Sequence, residues 1–278
     1  MRTVMAMAMV MLHSLSMSAA VSFSEELRIQ PIAHRGLLRH APENTPANFN
    51  ACRHLRLGFE FDVRRSKDDT LICLHDDTVD RTTNGKGPAL EKTDAELRQL
   101  DAGSWFDPAF KNERIPTIDQ VFGVIAEYPN DDVTFTADLK GDDEKLEQDI
   151  VELAQRRKVL NRILFIGRAI DHPDVRARLR KADPQCHVAC LAQTKDDLEE
   201  AIQDRTSDWV YLRFVPDAAT IAKIRAANKR SIIAGAKVSG EETENWKLSA
   251  TAGVNLILTD FPLELQQVIK GMGTISPE

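Results

Sequence analysis

Short apolar, β-branched runs recur along the chain at residues 29–33, 58–63, 133–139, 162–166, 187–192, 209–214, 231–234 and 254–259. Each has strand length, and most are followed by a stretch with helical period. Thr117-Ile118-Asp119-Gln120 has the spacing of a capping box, and Ile118, Val121, Phe122 and Ile125 then fall on one face. Leu146, Ile150, Leu153 and Ala154 mark a second amphipathic helix. Thr194 to Asp197 resembles a box with a shorter acid, opening a third helix through Leu198, Ala201 and Ile202. A last helix holds Val268 and Ile269 and stops at Gly271. Eight strands, each followed by a helix, predict an α/β protein with the (β/α)8 TIM barrel fold. A doubly wound sheet would want a glycine-rich phosphate loop after its first strand, and the chain contains neither GxGxxG nor GxxxxGK[ST].

One segment departs from this rhythm. After Val63 the chain reads Arg64 to Thr70 and then Leu71-Ile72-Cys73-Leu74-His75, alternating as in a hairpin. A turn centred on Asp68-Asp69 sets Asp62 opposite His75, so the hairpin returns His75 to the strand carboxyl ends. Residues 77–114 then form a long excursion with a turn-rich Asn84-Gly85-Lys86-Gly87-Pro88. Structured excursions of this length commonly serve as lids or walls of a site.

With 42% hydrophobic residues in 278, the chain can bury a large core, and disorder is excluded. A single barrel domain is expected over 25–272. Thirty-six basic against 43 acidic residues leave a net charge of −7 without a basic block, which argues against nucleic acids and anionic membranes as partners. Aromatic content of 6% is poor for stacking single strands. Arg2 precedes an uncharged run from Thr3 to Ser24, and Ser18-Ala19-Ala20 offers small residues for cleavage. We read residues 1–20 as a signal peptide, which implies export to a periplasm or outside the cell. No other stretch is apolar enough to span a bilayer, so stable membrane insertion of the mature chain is not expected. Cys52, Cys73, Cys186 and Cys190 are too few and too irregular for a disulfide framework. Cys186 and Cys190 share a strand at ~13 Å, too far apart to bridge.

The charged residues gather at strand ends. His34-Arg35-Gly36 ends the first strand, Glu60-Phe61-Asp62 the second and Asp138-Leu139-Lys140 the third. In each of the last two, alternation puts the i, i+2 pair on one face, here inward. Inward charges at three strand ends are costly without a partner or a role. Three carboxylates, Glu60, Asp62 and Asp138, suit one hard divalent cation, Ca2+ or Mg2+. Zinc would prefer nitrogen or sulfur ligands. Arg35 and Lys140 beside it suit an anionic, phosphate-like substrate. The histidine side chain as a type has an unperturbed pKa of ~6.5, so His34 and His75 are candidates to exchange acid and base roles near neutral pH.

These residues resemble the glycerophosphodiester phosphodiesterase family. The resemblance is carried by His34-Arg35-Gly36, Pro42-Glu43-Asn44-Thr45, Glu60-Phe61-Asp62-Val63, Ser66-Lys67-Asp68, His75-Asp76, Arg81-Thr82-Thr83, Ile115-Pro116-Thr117 and the run from Gly253 to Pro262. It implies a TIM barrel, one divalent cation, and hydrolysis of a small-molecule glycerophosphodiester to glycerol 3-phosphate and an alcohol. By motif, His34 and His75 match the acid–base pair, Glu60 and Asp62 metal ligands, and Arg35 and Lys140 phosphate contacts. Pro42 to Thr45 reads as a structural opening of the first helix, with Asn44 or Thr45 as its cap, though Glu43 can reach the site.

Two departures from the family pattern stand out. The third metal ligand, usually Glu, is Asp138. An element often reading Trp-Thr-Val-Asn is replaced by Ile232-Ile233-Ala234-Gly235, and Trp105 is the candidate substitute aromatic contact with substrate. The shorter Asp138 requires a shifted ion, a bridging water or another donor such as Glu113, and favours a calcium-tolerant site. The alternatives are a related barrel phospholipase acting on phosphoinositides or sphingomyelin-type lipids, and a barrel that binds phosphodiesters without turning them over.

Overall fold

The computed structural model describes residues 29–141 and 144–272. The expected signal peptide lies outside these residues. Eight parallel strands form the barrel: β1 (Gln30–Ala33), β2 (Gly58–Arg65), β4 (Phe135–Leu139), β5 (Ile163–Ile166), β6 (His187–Ala192), β7 (Trp209–Leu212), β8 (Arg230–Ile233) and β9 (Leu256–Thr259). Each pairs with the next in that order, and β9 returns to β1, closing the ring. The remaining strand, β3 (Leu71–Cys73), pairs antiparallel with the far end of β2. All eight runs read from the sequence are therefore barrel strands. A closed parallel ring has no free edge, and it explains why the strands are apolar on their outer faces, where helices cover them.

The side facing inward follows from packing. Phe59 stacks on Phe49 of α1 (Pro46–Leu55) at 4.3 Å between centroids, and Phe61 meets Phe122 of α3 (Ile118–Ala126) edge-on at 5.9 Å. Those two rings point outward, so Glu60 and Asp62, which alternate with them, point in. Register carries this round the barrel, with Glu60 opposite Thr136 and Asp62 opposite Asp138.

Local signals hold where the chemistry is backbone-driven. Thr45 caps α1 by accepting from the Asn48 N–H at 3.4 Å, with Pro46 at the first helical position. Thr117 and Gln120 form the reciprocal box at the start of α3. Thr194 and Asp197 bond each other at 2.7 and 2.9 Å, but α6 (Leu198–Gln203) begins only afterwards, so this pair closes a turn before the helix. The four cysteines are buried and free.

The hairpin register is one residue away from the expected one. Val63 faces Cys73 and Arg65 faces Leu71, so Leu74, not His75, meets Asp62; the Leu74 N–H donates to the Asp62 carbonyl at 3.2 Å. The turn centres on Asp68: the Ser66 N–H donates to the Thr70 carbonyl at 2.9 Å, the Ser66 hydroxyl accepts from the Thr70 N–H, and Asp69 takes the left-handed φ of 64°. His75 therefore leaves the ladder instead of ending it. The Arg64 guanidinium holds its carbonyl with bonds of 3.0 and 2.7 Å.

The excursion has its own small core. Ile72, Leu74, Val79, Ala89, Leu97, Ala102 and Ile115 pack together, and the short α2 (Asp94–Leu97) is capped by Thr93 and Glu96. No helix among the described residues is long and apolar enough to cross a membrane.

Candidate active site

Glu60, Asp62 and Asp138 converge inside the barrel mouth, each offering a carboxylate oxygen within 4.8 Å of the others. Like charges this close repel, and Glu60 and Asp62 are almost wholly buried while Asp138 is partly exposed. Burial pushes the Glu60 carboxyl well above the usual range, and the charges of Asp62 and Asp138 add to it. Burial likewise raises Asp138. Burial acts in the same sense on Asp62, but Lys140 and Arg35 outweigh it and hold this carboxylate low.

Lys140 lies 2.8 Å from Asp62 Oδ1 and 2.7 Å from Asp138 Oδ2. Burial opposes its charge, yet Asp62 and Asp138 keep its ammonium above the ordinary lysine value. Arg35 lends its backbone N–H to Glu60 Oε2 at 2.7 Å, and its Nε sits 3.7 Å from Asp62. This geometry rests on a left-handed turn at the strand end, with φ of 50° at Arg35.

The donor set fits a hard cation. Asp138 Oδ1 is buried and accepts no hydrogen bond, although the other oxygen of the same group is held by Lys140. An orphaned carboxylate oxygen in a cluster of three is costly by itself and suits an oxygen-seeking ion. The backbone beside it is shaped to the carboxylate: Gly167 has φ of 104°, and a Cβ there would stand 2.0 Å from Asp138 Oδ1. Only glycine allows both the turn and the close approach. Glu113 is not drawn in as an extra donor. Its carboxylate accepts from the Ala47 N–H at 3.1 Å, at the amino end of α1, where a negative charge is favourable.

The two histidines flank this cluster in the same way. His34 Nδ1 is 2.7 Å from Asp260, which lies just past β9, and His75 Nδ1 is 2.7 Å from Asp76. An ionised carboxylate can only accept, so Nδ1 carries the proton in each ring and Nε2 is left for exchange with a substrate. Asp76 is firmly ionised. The Arg81 guanidinium bonds it at 2.7 and 2.9 Å and, against the opposing effect of burial, holds its carboxyl far below the usual range. Arg81 also grips Glu43 at 2.8 Å with two nitrogens, and Glu43 in turn takes Arg35 Nη1 at 2.9 Å. His75 and Arg35 are thus tied into one network.

Four residues of the site are given no part in it by sequence alone, where Asn44 reads only as a possible helix cap. Asn44 donates to Asp62 Oδ2 at 2.7 Å from a backbone with φ of 56°, so the Pro42–Thr45 turn orients a metal-ligand candidate as well as opening a helix. Asp76, Arg81 and Asp260 stand inside the family-like motifs, but their pairing across up to 226 residues is a tertiary fact. Trp105 lies on the excursion, 39% exposed. Its indole N–H is used on the Ala102 carbonyl at 2.9 Å, and its ring meets Phe106 edge-on. It sits outside the hydrogen-bonded network of the site among the described residues.

Comparison with known proteins agrees with this geometry. The model of the glycerophosphoryl diester phosphodiesterase family matches residues 34–264. A glycerophosphodiester phosphodiesterase of Caldanaerobacter subterraneus subsp. tengcongensis is 47% identical over 97 residues, 34% of this chain and 40% of that protein. Another, of Bacillus subtilis, is 31% identical over 154 residues, 51% of each. The chain thus spans about half or less of these curated relatives' length. A solved phosphodiesterase of Oleispira antarctica, in complex with its product sn-glycerol-3-phosphate, superposes with a TM-score of 0.71 at 26% identity, covering 87% of this chain and 96% of that one. The match runs from the first histidine of the site through the strand and loop that carry Asp260, and on it the chain belongs to the glycerophosphoryl diester phosphodiesterase family.

Proposed function

We propose that this chain is a metal-dependent phosphodiesterase that converts glycerophosphodiesters to glycerol 3-phosphate and an alcohol. The observation that carries the reading is the pair of carboxylate-oriented histidines flanking three convergent carboxylates. Glu60, Asp62 and Asp138 would hold one divalent cation, Ca2+ or Mg2+, which supplies neutralisation of charge on the phosphoryl oxygens. Arg35 and Lys140 would hold those oxygens from the protein side.

One histidine takes the proton of the glycerol hydroxyl next to the phosphate, and that oxygen attacks phosphorus. The other gives its proton to the departing alcohol oxygen. Water then opens the cyclic phosphate with the histidine roles reversed, restoring both rings. Asp76 and Asp260 hold the rings with Nε2 toward the chemistry, and each stabilises the imidazolium when it forms.

The test is release of glycerol 3-phosphate from a panel of soluble diesters, with EDTA and with Ca2+ or Mg2+ restored. We expect release that EDTA abolishes and a cation restores, and slow reaction of a diester lacking the neighbouring hydroxyl. No glycerol 3-phosphate from any diester overturns the reading; equal rates without the hydroxyl replace the glycerol nucleophile by water. A lipase acting on intact bilayers needs a contiguous apolar rim. On the described excursion the exposed large apolar side chains are Leu90 and Trp105 alone, which favours soluble substrates.

The site's work would be done after export. This part of the proposal rests on the apolar run before Ser24 with its small residues at 18–20. Mass spectrometry of the mature amino terminus tests it, and a retained residue 1 in the secreted protein counts against it.

A further inference from the structure

A second charged feature faces the mouth from the far wall. Val210 and Leu212 of β7 are buried in the outer cluster with Ile221 and Ile224 of α7 (Ala218–Ala226) and Trp246 of α8 (Thr243–Ala252). Alternation therefore turns Trp209, Tyr211 and the next residue, Arg213, inward. Arg213 keeps the ladder register, its N–H donating to the Ala192 carbonyl at 3.1 Å. Its guanidinium donates to the Tyr211 hydroxyl at 2.9 Å. Tyr211 is buried deeply enough to push its hydroxyl up to about 12, and the charges of Asp138 and Glu60 reach it. In the closed ring, β7 stands opposite β2, the strand that bears Glu60 and Asp62.

The neighbourhood leaves this guanidinium open to a ligand. Gly235, just past β8 with φ of 98°, would bring a Cβ to 2.9 Å from Arg213 Cζ and 3.0 Å from its Nε. A side chain at 235 would displace the group that now fills the space. Arg35, Arg64 and Arg81 are each paired with carboxylates. Arg213 is half-buried and has no carboxylate partner among the described residues.

We infer that Arg213, with the Tyr211 hydroxyl, forms a subsite for an anionic group on the alcohol portion of the diester, so that acidic headgroups are preferred over cationic ones. This rests on the phosphodiesterase reading. With the phosphate held on the β2 and β4 side by Arg35 and Lys140, one arm of the diester crosses the mouth toward β7. A planar guanidinium there pairs with a carboxylate or a second phosphate and repels a quaternary ammonium.

The experiment compares kcat/KM for sn-glycero-3-phosphoinositol 4-phosphate and sn-glycero-3-phosphocholine in wild type, Arg213→Gln and Gly235→Ala. Wild type should favour the acidic headgroup. Arg213→Gln should lower the acidic-to-choline ratio by roughly tenfold or more, the scale of one charge-assisted hydrogen bond. Gly235→Ala, whose methyl meets the guanidinium, should lower the same ratio. Thermal melting checks that both variants are folded. An equal loss on both substrates would assign Arg213 to the scissile phosphate and overturn the inference, as would an unchanged ratio. Wild-type turnover with an unchanged ratio removes this inference alone, whereas no wild-type turnover of any diester removes the phosphodiesterase reading and this one with it.

Discussion

His34→Ala and His75→Ala are each expected to lower kcat by ~10²–10⁴-fold, the usual contribution of one positioned acid or base, with little change in melting temperature. Both rings are partly exposed, so removing them gives up little buried surface. The two losses should not multiply fully, because one proton path needs both groups. The orienting residues extend the series. Asp76→Asn and Asp260→Asn replace an acceptor by a group that can donate to Nδ1, which moves the ring proton to Nε2, where the neutral ring can no longer act as a base. Each should cost a large part of the histidine factor. Arg81→Gln touches neither ring, yet it frees Asp76 and Glu43 together, so kcat should fall with a smaller change in KM. The check is steady-state kinetics across pH for the whole set. Near-wild-type rates in either alanine variant would take that histidine out of the chemistry.

Asp138→Asn should weaken metal binding by at least ~10–100-fold, the range seen when even a supporting partner of a metal ligand is lost. The substitution keeps the volume but removes a charge from a three-carboxylate set. It also leaves Lys140 to pair with Asp62 alone. Metal-free protein should be no less stable for it, since burial already opposes the Asp138 charge and Asp62 repels it. That opposite pair of effects separates a ligand from a structural ion pair. If Asp138 existed only to hold Lys140, Asn would lower the melting temperature without metal and leave affinity alone. Asp138→Glu restores the residue that the family resemblance implies and should keep binding, with affinity for Mg2+ rising relative to Ca2+. Calorimetric titration of Ca2+ and Mg2+ into the parent and both variants decides it. Unchanged affinity in Asp138→Asn would remove the residue from the metal site.

The parts legible from residue order are those whose physics is local. Strand-length apolar runs, helical stripes and the Thr117–Gln120 box are set by backbone propensity and by period, so eight barrel strands could be read before any contact was known. The pairs Glu60–Asp62 and Asp138–Lys140 were legible for the same reason, since two residues apart on a strand means one face. The hairpin register was not, because a single residue's left-handed φ at Asp69 moves the turn centre, and sequence leaves that choice to the Ser66 hydroxyl and its Thr70 partner.

What the tertiary structure alone decided is which charges meet. His34 finds Asp260, Arg81 bridges Asp76 to Glu43, and Asn44 reaches Asp62, all across loops whose closure depends on barrel register. Glu113 was a reasonable extra metal donor by composition, and the fold placed it at the amino end of α1 instead. Arg213 is an arginine near the end of an apolar run until closure of the ring sets it opposite Glu60 and Asp62. Residue order determined the elements and which side of each faces in, because those depend on neighbours a few positions away. The partners of the buried charges depend on how the ring closes, and a closed barrel brings together residues that no local period relates.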